Sequence, residues 1–370
     1  MTKFMTLAMV NIIIQQARNS CYNPNLALKK RTDPTQPDPT QPNSTQPDPT
    51  RPDPVWVILN KIKYGFKQVF ISTLGKILIS AITADFNPPA ATVPFKPGDI
   101  IKQRYILVQQ IGAGSYGAIF EAIYQNEIVC KHVAIKFEKI TFDKPVLCNE
   151  IIILKALDGN KHFARFYQYG THEKYKFVAM ELLGPSLIDL VNRKRPYRFN
   201  LHSLLKFGVQ AIDALQAIHQ AGFVHRDIKP SNFVVGNTVE TSSRVYLIDF
   251  GLCKKLNVQD GIVVKPSLKG NFRGTVRYAS PNSHRKRELG RNDDLMSLIY
   301  IFVEFYIGTL PWVDVNDPEE VLRLKEFNQG GDLVSKMPPE FKQFEDHILS
   351  LNYTTEPDYQ LLTSFLYKIA

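Results

Sequence analysis

Val224-His225-Arg226-Asp227-Ile228-Lys229-Pro230-Ser231-Asn232 is the stretch whose reading decides the fold. It puts a carboxylate, an ammonium and a carboxamide at fixed offsets on one short loop. Those groups suffice to accept a proton, neutralise a phosphate and hold a metal ion. The run gains weight from its company: Asp249-Phe250-Gly251 follows at a short interval, and a glycine-rich turn with a downstream Val133-Ala134-Ile135-Lys136 lies far upstream.

Around the loop the residues read as its support. Leu205, Gly208, Ile212, Leu215 and Ile218 recur at helical spacing between about 201 and 220, and Gly222 closes that helix just before the loop. Val245-Tyr246-Leu247-Ile248 reads as a buried strand delivering Asp249, whose carboxylate would bind Mg²⁺ bridging phosphates, with Asn232 as the second metal contact. Asp227 would orient a substrate hydroxyl and take its proton, and Lys229 would stabilise charge on the transferred phosphoryl group. His225 reads as a backbone anchor and not as a base. Residues 295–305 are apolar on nearly every face, so they are expected to run through the centre of a lower lobe. Asp294, at the start of that helix, is placed to accept hydrogen bonds from the loop around His225. Pro311-Trp312 ends the region, and residues 321–370 read as further packed helices.

Upstream, a strand-like run at 105–110 leads into Ile111-Gly112-Ala113-Gly114-Ser115-Tyr116-Gly117-Ala118-Ile119. Glycines let backbone N–H groups approach phosphates because no Cβ intervenes. In a dinucleotide-binding fold the third glycine would open a helix. Here Ile119-Phe120-Glu121-Ala122 continues as strand, which favours a hairpin lid over a triphosphate. Lys136 ends an alternating strand where a partner for α/β-phosphates is needed. Residues 145–157 read as a helix carrying Glu150, the carboxylate expected to fix the Lys136 rotamer. Phe177-Val178-Ala179-Met180 reads as a buried strand running into Glu181-Leu182-Leu183-Gly184-Pro185, where glycine and proline end it as a hinge would. The whole set is what a phosphotransferase acting on protein, with ATP and Mg²⁺, requires.

The 370 residues leave room for a large two-lobed domain and a tail, and 44% hydrophobic with 22% charged residues is an ordinary globular balance. A net charge of +10 favours anionic partners without choosing among acidic proteins, phosphorylated segments, nucleic acid and membrane surfaces. Cys21, Cys130, Cys148 and Cys253 show no metal spacing and are too few for a disulfide framework, which fits a reducing compartment. The expected location is cytoplasmic, extending to the nucleus.

Residues 1–98 read as a disordered leader. Lys3 and the apolar run at 4–14 have the outline of a secretory signal, but no clean small-x-small cleavage site follows. Residues 32–54 repeat Thr-Gln-Pro-Asp-Pro and hold eight of the 24 prolines, a solvated polyproline-like spacer. Residues 55–82 are apolar but carry Lys61, Lys63, Lys67 and Lys76, a pattern that would suit a helix lying on an anionic membrane or packing on the next domain. Asn43-Ser44-Thr45 and Asn352-Tyr353-Thr354 match the glycosylation pattern only by chance in this reading. Residues 87–98 read as a Pro-rich linker, with a folded domain from Asp99 to Ala370 divided at 183/184.

These residues resemble the α+β two-lobed protein-kinase fold, and more closely the casein kinase 1 group. Glu181-Leu182-Leu183-Gly184-Pro185-Ser186-Leu187, Gly274-Thr275-Val276-Arg277-Tyr278-Ala279-Ser280 and Asp293-Asp294-Leu295 are similar to that group's hinge, activation segment and central helix. Asn271-Phe272-Arg273-Gly274, Pro338-Pro339-Glu340-Phe341 and residues 357–364 resemble the tau-tubulin kinase branch. The resemblance covers about 99–368 and leaves the first hundred residues unexplained. It implies adenine contacts at the Glu181 carbonyl and Leu183 amide under Met180, between Ile111, Ile119, Ala134 and Val234. It implies serine/threonine specificity, with Thr275 bridging Asp227 and Lys229. It also implies a monomer whose basic surface at Arg277, Lys265 and Lys269 favours acidic or phosphorylated protein substrates.

Some positions depart from the group. Ser280-Pro281-Asn282 replaces Ser-Ile-Asn, Met296 replaces an aromatic or acidic residue, and Asp314, Asp317, Glu319 and Glu320 place negative charge near the substrate side. The chain also stops soon after Thr363, which implies a trimmed last helix. A pseudokinase scaffold would be marked by loss of Lys136, Asp227 or Asp249, and none is lost. A nucleic-acid-binding protein would interleave aromatic and basic residues on one surface, and no such pattern stands out.

Overall fold

The computed structural model describes residues 93–114, 117–125, 130–140, 146–193, 195–260, 262–264 and 270–370. The expectations for the leader before residue 93, and for Ser115, Tyr116, Lys265 and Lys269, lie outside the described residues.

The upper lobe is a six-stranded antiparallel sheet in the order β1-β2-β3-β4-β6-β5. Its strands are β1 (Ile100–Ile101), β2 (Tyr105–Gly114), β3 (Gly117–Gln125), β4 (Cys130–Lys139), β5 (Phe166–His172) and β6 (Tyr175–Glu181). Period-two alternation sorts the faces of β4. Val133, Ile135 and Phe137 enter one buried cluster with Phe120 and Phe177. Ala134 and Lys136 take the opposite face, toward the cleft. Register fixes their neighbours, with Lys136 opposite Ile119 and Val178 and Ala134 opposite Glu121 and Met180. Helix α1 (Val146–Ala156) lies against the sheet between β4 and β5, with Glu150 buried among Leu147, Ile151, Ile153 and Leu154. The start expected at Pro145 falls outside the described residues, and Leu157 sits just past the helix end.

The domain boundary expected at Asp99 falls inside folded chain. Val93 and Phe95 are buried, and the Phe95 ring lies 4.5 Å from Phe137 and 5.1 Å from Tyr175. Pro94 and Pro97 disguise this segment as linker, but a proline at a sheet margin leaves its neighbours free to pack.

The lower lobe is helical: α2 (Leu187–Asn192), α3 (Leu201–Gln220), α4 (Pro281–His284), α5 (Arg291–Ile307), α6 (Pro318–Phe327), α7 (Glu340–Ser350) and α8 (Tyr359–Ile369). Asn200 caps α3 through Ser203 N at 2.8 Å, and Gly222, at φ +83°, turns the chain out of it. Helix α5 is buried over nearly its whole length, as its all-round apolar character requires. It packs Phe302 and Phe305 on Phe207 of α3, and Phe302 on Phe341 and Phe344 of α7. Short strands β7 (Phe223–Val224), β8 (Phe233–Val235) and β9 (Val245–Leu247) frame the loop between them. Helix α8 is a packed element, burying Tyr359, Leu362, Phe365 and Leu366.

Candidate active site

The loop from His225 to Asn232 hangs from helix α5. Asp294 accepts the backbone N–H of His225 at 2.7 Å and of Arg226 at 2.8 Å, and the His219 ring nitrogen lies 2.9 Å from the same carboxylate. Burial works to raise the Asp294 carboxyl, yet these partners outweigh it and hold its pKa below the usual range. His225 is fully buried. Its Nδ1 accepts the Asp227 N–H at 3.3 Å and its Nε2 faces Ile248 O at 3.1 Å, which fixes the neutral tautomer with hydrogen on Nε2. The ring thus joins the loop to the strand that delivers Asp249, and it has no free nitrogen with which to act as a base.

Three side chains converge at the mouth of this loop. Lys229 Nζ lies 2.7 Å from Asp227 Oδ2 and 3.3 Å from Thr275 Oγ1, and Thr275 donates to Asp227 Oδ1 at 3.0 Å. Gly274 allows Thr275 to approach: its φ is +95°, and a Cβ there would stand 2.9 Å from Arg226 O. Asn232 donates to Asp227 O at 2.8 Å, which turns its amide oxygen the other way, and Ile248 N donates to Asn232 O at 2.9 Å.

Across the cleft, Lys136 Nζ lies 2.6 Å from Glu150 Oε2 and 3.3 Å from Asp249 Oδ1. Burial opposes the lysine's charge, but Glu150 and then Asp249 outweigh it and hold the ammonium protonated. Burial likewise pushes the Glu150 carboxyl up, and the Lys136 ammonium is the group that opposes that shift. Asp249 has φ 67° and a half-exposed side chain, and its pKa lies below the carboxylate norm because the Lys136 and Lys229 ammonium groups outweigh desolvation. The left-handed turn aims its carboxylate into the cleft while Phe250 stays buried against His225 and Phe163. Asn149 of α1 ties this turn to the upper lobe, donating to Cys253 O at 2.9 Å.

The residues expected to contact adenine lie on the two walls of the cleft. Gly112 pairs with Ile119 and Ala134 with Met180 in register, and Ile111 is exposed at the rim. Below them, Gly184 N donates to Val235 O at 2.8 Å and Val235 N to Pro185 O at 3.0 Å, so the segment after Glu181 and Leu183 clasps β8 beside Val234. A Cβ on Gly184 would come within 3.0 Å of two carbonyl groups there, which is why glycine stands at this crossing.

Oxygen donors suit a Mg²⁺ ion, and the Asp249 carboxylate and the outward-turned Asn232 amide oxygen fit one. Among the described residues no group of three or more His, Cys, Asp or Glu side chains could hold a metal.

Arg277 does not stand free on the substrate side: its guanidinium meets Glu304 at 3.1 Å, and Tyr278 donates to the same carboxylate. Two residues to which the sequence gives no evident role organise this segment. Lys325 of α6 is buried and donates to Val276 O at 2.7 Å and Ala279 O at 2.6 Å, with His284 Nε2 at 3.1 Å. Its ammonium also lies over the Tyr300 and Trp312 rings, at 5.1 and 5.3 Å. Asp293 accepts from Ser280, Asn282 and Gly290 N at 2.7 to 2.9 Å, so Asn282 has a partner in spite of Pro281 beside it. A lysine four residues after Val321, on the apolar face of α6, was the available signal for the first.

The family profile described as protein kinase domain matches residues 105–361. A serine/threonine-protein kinase by name from Dictyostelium discoideum is 42% identical over 274 residues, covering 74% of this chain and 55% of that protein. One from Caenorhabditis elegans is 33% identical over 274 residues, covering 73% and 78%. Casein kinase I homolog 3 of Schizosaccharomyces pombe is 32% identical over 280 residues, covering 72% and 62%. The chain thus spans about half to three-quarters of the length of these relatives. With the profile covering most of the chain, and the lobes and cleft arranged as described, this protein belongs to the protein kinase family.

Proposed function

We propose that the chain transfers the γ-phosphoryl group of ATP to serine or threonine hydroxyls of protein substrates, in the manner of casein kinase 1 enzymes. The observation that carries this is the triangle of Asp227, Lys229 and Thr275, beside the strand end that delivers Asp249. Asp227 orients the incoming hydroxyl and accepts its proton. Lys229 sits where charge builds on the transferred group, and Lys136, fixed by Glu150, holds the nucleotide phosphates. Asp249 and Asn232 would hold a Mg²⁺ ion, which when bound would supply charge neutralisation at the phosphates. Because phosphoryl transfer depends on positioning more than on covalent chemistry, a rigid cleft with these groups is sufficient.

Acidic or phosphorylated substrates fit a second feature. Beside the catalytic loop, Arg226, Lys254, Arg273 and Arg287 line a hollow of about 310 Å³; among its described lining residues Glu288 is the one acidic side chain, and it pairs with Lys254 and Arg226. A phosphate on the substrate would be drawn there. The tau-tubulin branch is our narrower assignment within the group, supported by Asn271-Phe272-Arg273-Gly274, and a cytoplasmic or nuclear setting suits the unpaired Cys130, Cys148 and Cys253.

The test is incubation of the full chain with Mg-ATP and dephosphorylated casein, beside an Asp227→Asn variant. Phosphoserine or phosphothreonine formed by the wild type alone supports the assignment. Nucleotide binding without transfer to any acidic acceptor overturns it.

A further inference from the structure

At the far end of the lower lobe, α2, the connection to α3 and the end of α5 enclose a groove of about 970 Å³. Arg193, Arg195, Arg198 and Lys336 rim it, all exposed, and no acidic side chain lies among its described lining residues. None of the four pairs with a described carboxylate. The floor is apolar, with Phe199 and Ile307 half-buried in it. That floor is preformed: the Phe199 ring packs tilted against Phe305 at 4.6 Å, and its backbone N–H donates to Phe305 O at 2.7 Å.

We propose that this groove docks an extended acidic segment of a protein substrate, one that carries an apolar side chain among its carboxylates. Three guanidinium forks on a rim match carboxylates in geometry as well as charge. The aliphatic and aromatic floor suits one buried apolar side chain. Single-stranded nucleic acid would instead need open aromatic faces for its bases, whereas the lining rings Phe199 and Tyr306 are both half-buried, Phe199 against Phe305.

The fold also sets the reach such a segment needs. Helix α3 has 20 residues between the groove and the catalytic loop, so the two sites lie about 30 Å apart. A fully extended peptide covers that distance in about nine residues, and the surface path requires more. Docking would raise the local concentration of the acceptor at the cleft without touching the chemistry. This deepens the kinase assignment and rests on it for the substrate role.

The experiment compares three peptides on the full-length protein. One is a phosphoacceptor alone. The others join it to an acidic segment with a central leucine, through a Gly/Ser spacer of either five or about twenty residues. The long-spacer peptide should show a KM about tenfold below that of the acceptor alone at unchanged kcat, and the short-spacer peptide no gain. In an Arg193→Glu/Arg198→Glu variant the gain should vanish, with kinetics on the acceptor alone unaltered. Equal KM values for all three peptides, a gain with the short spacer, or a gain that survives the double substitution would each overturn the proposal. If no peptide is phosphorylated, fluorescence anisotropy of the labelled acidic segment still reads the groove. Binding to the wild type that the double variant loses supports docking independently of catalysis, and absence of binding overturns it. Tighter, variant-sensitive binding of a labelled oligonucleotide would overturn the choice of a peptide.

Discussion

Asp294 Oδ1 accepts the Arg226 N–H at 2.8 Å, and Arg226 sits at φ 67°, a region that costs a branched-chain or long side chain energy. The carboxylate that stabilises this conformation also takes His225 N and faces His219, so one buried group sets the geometry from which Asp227 projects. Asp294→Asn keeps the shape but turns one acceptor into a donor against a backbone N–H. We expect a loss of about 2–4 kcal/mol in unfolding free energy, with a fall in kcat that exceeds any change in KM. Denaturant titration and steady-state kinetics read both. A variant with normal kcat would show that the loop keeps its shape without the carboxylate.

Lys136 and Glu150 make a buried pair on which two lobes depend, because Asp249 shares the same ammonium. Removing one partner leaves the other charge uncompensated, a cost of about 3–5 kcal/mol for a buried pair. Lys136→Met should abolish measurable turnover. Glu150→Gln should weaken turnover by about a hundredfold while retaining some nucleotide binding, and the double variant should be no worse than Lys136→Met alone. Additive losses in a double-mutant cycle would mean that the two residues act separately.

These groups were legible in the sequence because their chemistry is carried by short spacings: Asp227, Lys229 and Asn232 share one loop, and Lys136 lies within, and Asp249 just past, a recognisable strand. The buried run of α5 was legible for the same kind of reason, since an all-round apolar helix has only one place to go. Lys325 was not. Its partners Val276 and Ala279 lie 49 and 46 residues away, and only the packing of α6 beneath that segment brings them together. Phe95 was hidden in another way, because two flanking prolines outweigh a single aromatic ring when composition is read along the chain, whereas the ring finds its contacts in β4 and β6.

Phe95 therefore yields a prediction about where the folded unit begins. It touches Phe137, Tyr175 and His172 at ring distances of 4.5 to 5.7 Å and is buried with Val93. Phe95→Ala should cost about 3 kcal/mol, the lower range for an aromatic removed from a core, without changing the catalytic groups. A chain starting at Asp99 should unfold at correspondingly lower temperature than one starting before Val93. Equal melting temperatures would show that the segment lies on the sheet without stabilising it.

Lys325 and His284 give a pH dependence of determinate sign. An ammonium has three hydrogens, and Lys325 has three acceptors: Val276 O, Ala279 O and His284 Nε2. His284 must then be unprotonated at Nε2. Burial, followed by the Lys325 charge, holds its pKa down to about 4. Burial also draws the Lys325 pKa down to about 7, while the two carbonyls and two ring faces favour its charged form. For His284 the unfolded chain takes up a proton near the ordinary value of 6.5 and the folded chain does not until about 4. Its contribution to stability is therefore complete above 6.5 and lost as pH falls toward 4. Asp293 works in the opposite sense, since burial raises its pKa to about 6 and the folded state binds the extra proton on acidification. Comparing wild type with His284→Gln cancels Asp293, because both proteins carry it. The stability advantage of the wild type over His284→Gln, measured by chemical denaturation, should shrink steadily between about pH 6.5 and 4.5. A difference independent of pH would mean that His284 titrates alike in the folded and unfolded chains, and that the Lys325 ammonium does not bear on it.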